Sequence, residues 1–193
     1  MKNIMTNRKL SLLAGSIVLV LGTLACVVNL GGPAYPSERI PVSTEAVTQV
    51  QDILGTADAQ GAEAGKINLV MTEAQLTSYL ADQLQQQSEP LITDPQVYLR
   101  DGTMQIYGKA SQGYFTANVK IVISIGVDAE GQPKIELTSA NFGPFPVPPS
   151  LRDMITNMAR DAYASALGSA VTHFQLESVT IADGTLSLVG NVK

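Results

Sequence analysis

The sequence predicts an α+β fold: a curved antiparallel β-sheet with a long helix packed across one face, preceded by an N-terminal transmembrane helix. Three observations lead there. "YFTANVKIVISIGVD" alternates along its whole length. It puts Phe115, Ala117, Val119, Ile121, Ile123, Ile125 and Val127 on one side and Tyr114, Thr116, Asn118, Lys120, Val122, Ser124 and Gly126 on the other. One dry side and one mostly wet side is the pattern of an antiparallel sheet covered on a single face. "SLRDMITNMARDAYASALGSAV" sets Leu151, Ile155, Met158, Ala162 and Ala166 on one helical stripe, widened by Met154 and Ala159, with Arg152, Asp153, Asn157, Arg160 and Asp161 opposite. Leu10–Leu30 runs 21 residues without a charge, and roughly 20 apolar residues span a bilayer as a helix.

From the N-terminus, residues 1–9 carry Lys2, Arg8 and Lys9 and no acid, and read as a cytoplasmic basic tail. Residues 10–30 read as a transmembrane signal-anchor, which would place the rest of a single-pass protein outside the cytoplasm. An uncleaved anchor is the expectation. Cleavage, or lipidation of Cys26 in "TLAC", is the alternative. Cys26 is the only cysteine, so no disulfide can form within one chain. Residues 31–42, with Pro33, Pro36 and Pro41 after two glycines, read as a Pro/Gly linker. Residues 43–193 form the extracytoplasmic α+β domain.

Within that domain "STEAVTQVQDILGTADAQ" predicts a short helix with Val47, Val50 and Leu54 on one stripe. Ile67, Leu69 and Met71 alternate as a strand, and Thr72 with Gln75 forms a capping box for the helix that follows. Asp101-Gly102 and Asp183-Gly184 each sit between alternating runs, the signal for a two-residue hairpin whose turn needs positive φ twice. "VYLRDGTMQIYGK" and "VTIADGTLSLVGN" echo one another, either through shared turn chemistry or as two related units of one sheet. A phase shift near Glu177 predicts a bulge in the last hairpin. In "NFGPFPVPPSLRDM", Pro144, Pro146 and Pro148 predict an extended polyproline II path out of the sheet, with Pro149 in the first helical turn. Phe142 and Phe145 would anchor that corner in apolar surface.

Charge and motif content exclude several functions. Beyond Leu30 there are nine basic and 17 acidic residues, a net charge of −8, which is no footprint for nucleic acid. His173 is the only histidine and has no cysteine to partner it. No spacing suits a metal, and the sequence implies no cofactor. "DAEG" at Asp128 lacks the rest of a calcium loop and reads as a turn. No phosphate loop or nucleophile elbow is present. Nothing pairs carboxylates such as Glu130, Glu136, Asp153 and Asp161 for acid–base work, so the chain reads as a non-enzyme.

What remains is the long aliphatic sheet face and a Met- and Ala-rich helical stripe. If they do not fully close, they leave an apolar groove suited to an acyl chain, at about 0.8 kcal/mol per buried CH₂. Its lining would be Phe115, Val119, Ile121, Ile123, Leu151, Ile155, Met158 and Ala162, with Phe145 at the mouth. The order of "TEAQLTSYL", "VYLRDGTMQIYG", "GPFPVPPSL" and "ESVTIADGTLSLVG" over Ile67–Gly190 resembles the LmeA-like and YpmS-like membrane-anchored envelope proteins, related to the tubular lipid-binding superfamily. The resemblance implies a helix across a curved sheet, phospholipid in the cavity between them, and no catalytic residues. The function expected is thus a membrane-anchored lipid-binding domain of the cell envelope, its partners being the bilayer and a phospholipid or similar amphiphile. The alternative is a structural or interaction module that has a closed core and meets envelope proteins.

Overall fold

The structure, a computed structural model, describes residues 28–60, 65–90, 92–112, 114–147, 152–153, 155–157, 160 and 174–192. In chain order the elements are β1 (Val28–Asn29), α1 (Thr44–Gln60), β2 (Lys66–Thr72), α2 (Glu73–Gln85), β3 (Thr93–Arg100), β4 (Thr103–Gln112), β5 (Phe115–Val127), β6 (Pro133–Phe142), β7 (Phe145–Pro146), β8 (Phe174–Ala182) and β9 (Thr185–Val192). Helical backbone recurs at residues 152–153, 155–157 and 160.

The strands form two sheets, not one. The larger runs β3-β4-β5-β6-β7, with β1 beside β5, and the smaller is β2-β9-β8. Every pairing is antiparallel except β1 with β5, which is parallel. The single curved sheet crossed by a long helix is therefore corrected. The closing hairpin pairs with β2, from Lys66↔Asn191 to Thr72↔Thr185, and does not extend the larger sheet. Of the helix expected over Leu151–Leu167, only the helical positions given above are described.

Local signals fixed the elements themselves. Both Asp-Gly turns have positive φ at both central residues: 53° and 68° at Asp101 and Gly102, 51° and 74° at Asp183 and Gly184. Their registers match, Arg100↔Thr103 against Ala182↔Thr185, but the hairpins lie in different sheets. The capping box forms, with Gln75 N donating to Thr72 Oγ1 at 3.3 Å and Thr72 N to Gln75 Oε1 at 2.9 Å. A register shift between Leu176 and Ser178 marks the expected bulge. In α1 Val50 is buried as expected, while Ala46 and Ile53 face inward in place of their neighbours Val47 and Leu54.

The core is continuous along the dry side of β5. At one end the two sheets pack together. Leu99, fully buried, and the half-buried Met104, Ile125 and Val127 meet Ile67, Leu69, Met71, Leu176, Ile181, Leu186 and Leu188. In the middle Val119, Ile121, Ile123, Ile135, Ala140 and Val147 form a second cluster, with Ile92, Ile106 and Ile155 packed against it.

The proline corner is a tight reversal rather than a polyproline II exit. Phe145 and Pro146 pair back onto Phe142 and Asn141 around Gly143, whose φ is 59°. Val147 N then donates to Ala140 O at 2.9 Å. Pro146 lies on the last strand of the sheet, where its missing donor is tolerated. Pro148 and Pro149 lie outside the described residues.

Val28 and Asn29 are extended on β5, and Leu30 N continues the ladder by donating to Thr116 O at 2.8 Å. The membrane helix expected over Leu10–Leu30 therefore cannot run to Leu30. Leu10–Val27 lies outside the described residues, and no helix among the described residues is long and apolar enough to cross a membrane. The single-pass anchor, the bilayer as partner and the extracytoplasmic placement lose their support and are withdrawn.

Candidate interaction surface

The groove is corrected along with the anchor. Val119, Ile121 and Ile123, expected to line it, are 6, 9 and 6 % exposed and pack against Ile135, Ala140 and Val147. Ile155 is half-buried against the same cluster. The side chains that should have faced an acyl chain face their own neighbours, so the main reading of a lipid-binding domain does not hold. Leu151, Met158 and Ala162 lie outside the described residues, as do Cys26 and His173.

Phe115 and Phe145 are placed differently. Phe115 is the first residue of the dry side of β5, and Val28 stands beside it in register on β1. Phe145 reaches the same side of the sheet through the cross-strand pairs Phe145↔Phe142 and Phe142↔Val119. The apolar side of the larger sheet thus continues past its covered core to an open end. There Phe145 is 61 %, Phe115 49 % and Val28 46 % exposed. Apolar contact area of this kind, with aromatic rings, is what association surfaces present.

The backbone below this end is rigidly held. β6 leaves β5 at Val119↔Phe142, and the N-terminal chain takes over the vacated edge. Asn118 N donates to Gly31 O at 2.9 Å, and Gly143 N to Asn118 O at 2.8 Å. Gly32 crosses Gly143 so closely that a Cβ on Gly32 would lie 2.5 Å from Gly143 Cα. Only glycine permits that crossing, and Gly32 also holds a φ of 119°.

On the opposite, polar side of the sheet lies the segment expected to be a linker. Residues 33–40 are docked across β3, β4 and β5. Asn118 Nδ2 donates to Pro33 O at 3.2 Å and the Tyr98 hydroxyl to Glu38 O at 2.7 Å. The Gln96 amide grips Ile40 twice, accepting from its N at 2.7 Å and donating to its O at 3.1 Å. The Tyr35 ring lies 5.9 Å from that of Tyr107, which meets Tyr98 edge-on at 5.6 Å. The Arg39 guanidinium sits 4.8 Å over Tyr35 and pairs with the Asp94 carboxylate, which Lys109 Nζ also approaches at 3.3 Å.

Asp94 can reach these cations because it sits at a register irregularity in β3 with a φ of 55°. A bulge re-aims its side chain, and Asp tolerates that backbone better than most residues. The hydrogen bond from Arg39 is the main reason its carboxyl stays below the ordinary 3.8, and the bond from Lys109 adds to it. Burial, reinforced by Asp94, pushes the Tyr35 phenol up to about 12. Burial likewise raises the Tyr98 phenol.

The exposed edge of β3 is sealed by α2. Val97 N donates to Thr77 Oγ1 at 2.9 Å and Leu99 N to Glu73 Oε1 at 2.7 Å, while Glu73 also pairs with Arg100. Glu73 N reaches Gly184 O at 3.2 Å, which ties α2 to the turn of the smaller sheet. Sequence reasoning missed Glu73. Its only signal was an acid in the first turn of a capped helix, where many acids serve the helix dipole alone.

Among the described residues no group of three or more His, Cys, Asp or Glu could hold a metal ion. The Asp128 turn uses its carboxylate internally, accepting from Glu130 N at 3.0 Å and Gln132 N at 2.7 Å. Glu136 pairs with Lys134 at 2.8 Å. No protein-family model, curated protein or solved structure matches the chain.

Proposed function

We propose that this chain is a non-enzymatic protein-interaction module with a closed core, whose contact surface is the open apolar end formed by Val28, Phe115 and Phe145. One observation carries the proposal: among the described residues, the dry side of the larger sheet is filled by its own neighbours along the middle of β5 and left exposed at Phe115 and Phe145. Burying an apolar side chain of this size is worth about 1.5–3 kcal/mol, so a protein partner that covers this end gains from it. Aromatic rings on a rigid strand end give that area at small entropic cost, since each has only two side-chain torsions to fix.

The test is site-specific photocross-linking in the full chain. A photoreactive phenylalanine analogue at position 145 or 115 should yield the same discrete protein adducts in cells. The same group at Thr180, exposed on the smaller sheet, should not. Lipid adducts, no adducts at either Phe position, or an adduct pattern shared with position 180 would overturn the reading.

A further inference from the structure

The docked arm, Val28–Val42, pairs edge-on with β5 at Val28–Asn29 and lies against the polar side of the sheet over residues 33–40, as a bound peptide lies in its receptor. Its backbone oxygens at Gly31, Pro33 and Glu38, and both polar atoms of Ile40, are met by Asn118, Tyr98 and Gln96. Its two anchoring side chains, Tyr35 and Arg39, fit Tyr107 and Asp94. All of these partners belong to β3, β4 and β5. The covalent tie between arm and domain comes only at Pro41–Val42, just before Ser43 N is fixed by Ser78 Oγ at 3.1 Å. Val42 is 51 % exposed, so the joint itself is not packed down.

We propose that the polar face of β3, β4 and β5 is a peptide-recognition surface that accepts the Val28–Val42 arm of a second copy of this chain in exchange for its own. The contacts of an exchanged arm are the same contacts, so exchange costs only what the joint and the association itself demand. Pro33, Pro36 and Pro41 already restrict the free arm to extended shapes, which lowers the entropy lost on docking. Fully extended at about 3.1 Å per residue, the arm reaches roughly 45 Å, enough to cross to a neighbouring copy. The arm in cis acts at an effective concentration in the millimolar range, as short tethers do. A lone chain therefore keeps its own arm, and exchange grows where copies are crowded together. The polar face is separate from Phe115 and Phe145, which stay with the domain on exchange, whereas Val28 travels with the arm; the disulfide and peptide readouts probe the polar face alone.

The experiment mixes two full-length chains, both carrying Cys26→Ser. One adds Ile40→Cys and the other Gln96→Cys, the two positions in direct contact through the Gln96 amide. A disulfide-linked heterodimer above the collisional background requires an arm docked in trans. It should accumulate on co-incubation near millimolar concentration, above the yield of Ile40→Cys mixed with Thr180→Cys. Because Gln96→Cys disturbs the face it probes, a second measurement uses a labelled peptide of residues 28–42 on the full chain. Tyr35→Ala in the chain weakens the resident arm and should raise peptide binding about tenfold. Asp94→Asn added to the Tyr35→Ala chain, whose resident arm is already weakened, should lower it several-fold. A heterodimer yield no higher than the control, together with peptide binding unmoved by Tyr35→Ala, overturns the proposal.

Discussion

Replacing Glu73 by alanine should destabilise this domain more than any other substitution of a charged residue among those described. The side chain is 16 % exposed, and its carboxylate ties α2 to β3 through Leu99 N and Arg100. Its Oε1 accepts from Leu99 N at 2.7 Å, on a residue with no exposed surface. Removing the acceptor leaves that donor unpaired at the junction of the two sheets, which costs about 1–3 kcal/mol. The Arg100 partner is half exposed, so its loss adds at most about 1 kcal/mol. Loss of an acid from the first helical turn adds about 0.3–1 kcal/mol. The total is about 1.3–5 kcal/mol, a fall of roughly 0.7–2.5 M in the urea midpoint for a slope of about 2 kcal/mol/M. Glu73→Gln keeps an acceptor for Leu99 and should recover more than half of the loss. Equilibrium urea unfolding of the three proteins decides it. A Glu73→Ala midpoint within 0.2 M of wild type, or a Gln variant as weak as Ala, would refute the edge-sealing role.

Four further outcomes can be checked on the same protein. Thr77→Val removes the acceptor for Val97 N from a fully buried site and should cost about 1–3 kcal/mol in urea unfolding. Gly102→Val and Gly184→Val should each cost about 1 kcal/mol or more, read as lowered melting temperatures, because both turns hold positive φ. Gly32→Ala should be worse than either, since its Cβ would meet backbone atoms at 2.5–2.9 Å, whereas Phe145→Ser, at an exposed site, should move stability by less than about 0.5 kcal/mol. The arm lock also predicts a pH window. Asp94 is held below its ordinary 3.8, so its stabilisation is present above that value and lost as pH falls through the lower folded value. Tyr35 is raised from 10.0 to about 12, so its contribution is present below 10 and lost as pH rises through about 12. Calorimetry across pH should show the acid loss diminished in Asp94→Asn, and absorbance at alkaline pH should show delayed ionisation of Tyr35.

Features written in neighbouring residues were legible in the sequence, and features depending on distant partners were not. The two hairpins, the capping box, the bulge near Glu177 and the two sides of β5 each follow from turn chemistry or period-two patterning over a few residues. The pairing of β9 with β2 spans more than a hundred positions, and no local signal says which strand a hairpin will join. A one-sheet reading therefore satisfied every local rule and still gave the wrong assembly. The arm shows the same limit. The prolines over residues 33–41 disfavour a helix or a ladder strand there, and say nothing of contact. The contacts are made by Asn118, read from the sequence as part of a wet sheet face, and by Gln96, Tyr98 and Tyr107, which no local signal singled out. Phe115 and Phe145 were singled out as a groove lining, and the structure places both at the uncovered end.

The way the edges are managed also constrains how this molecule can associate. An open strand edge invites pairing with any extended chain. On β3 the outward groups of Val97 and Leu99 are taken by Thr77 and Glu73. At the other side β7 covers the end of β6, Val147 N takes Ala140 O, and Arg152 Nη2 reaches Leu137 O at 3.2 Å. Where β6 leaves β5, the arm fills the gap. With these backbone groups occupied, strand addition to the larger sheet would have to displace existing bonds at each of these points. Association through side chains displaces none of them. It can use the apolar end as it stands, or the polar face when an arm from another copy replaces the resident one. A mutation that unseals β3, such as Glu73→Ala, should therefore not only lower stability but also open an aggregation route that the wild-type fold closes. Light scattering of that variant, held below its unfolding midpoint, should rise with time, while Phe145→Ser under the same conditions should stay clear.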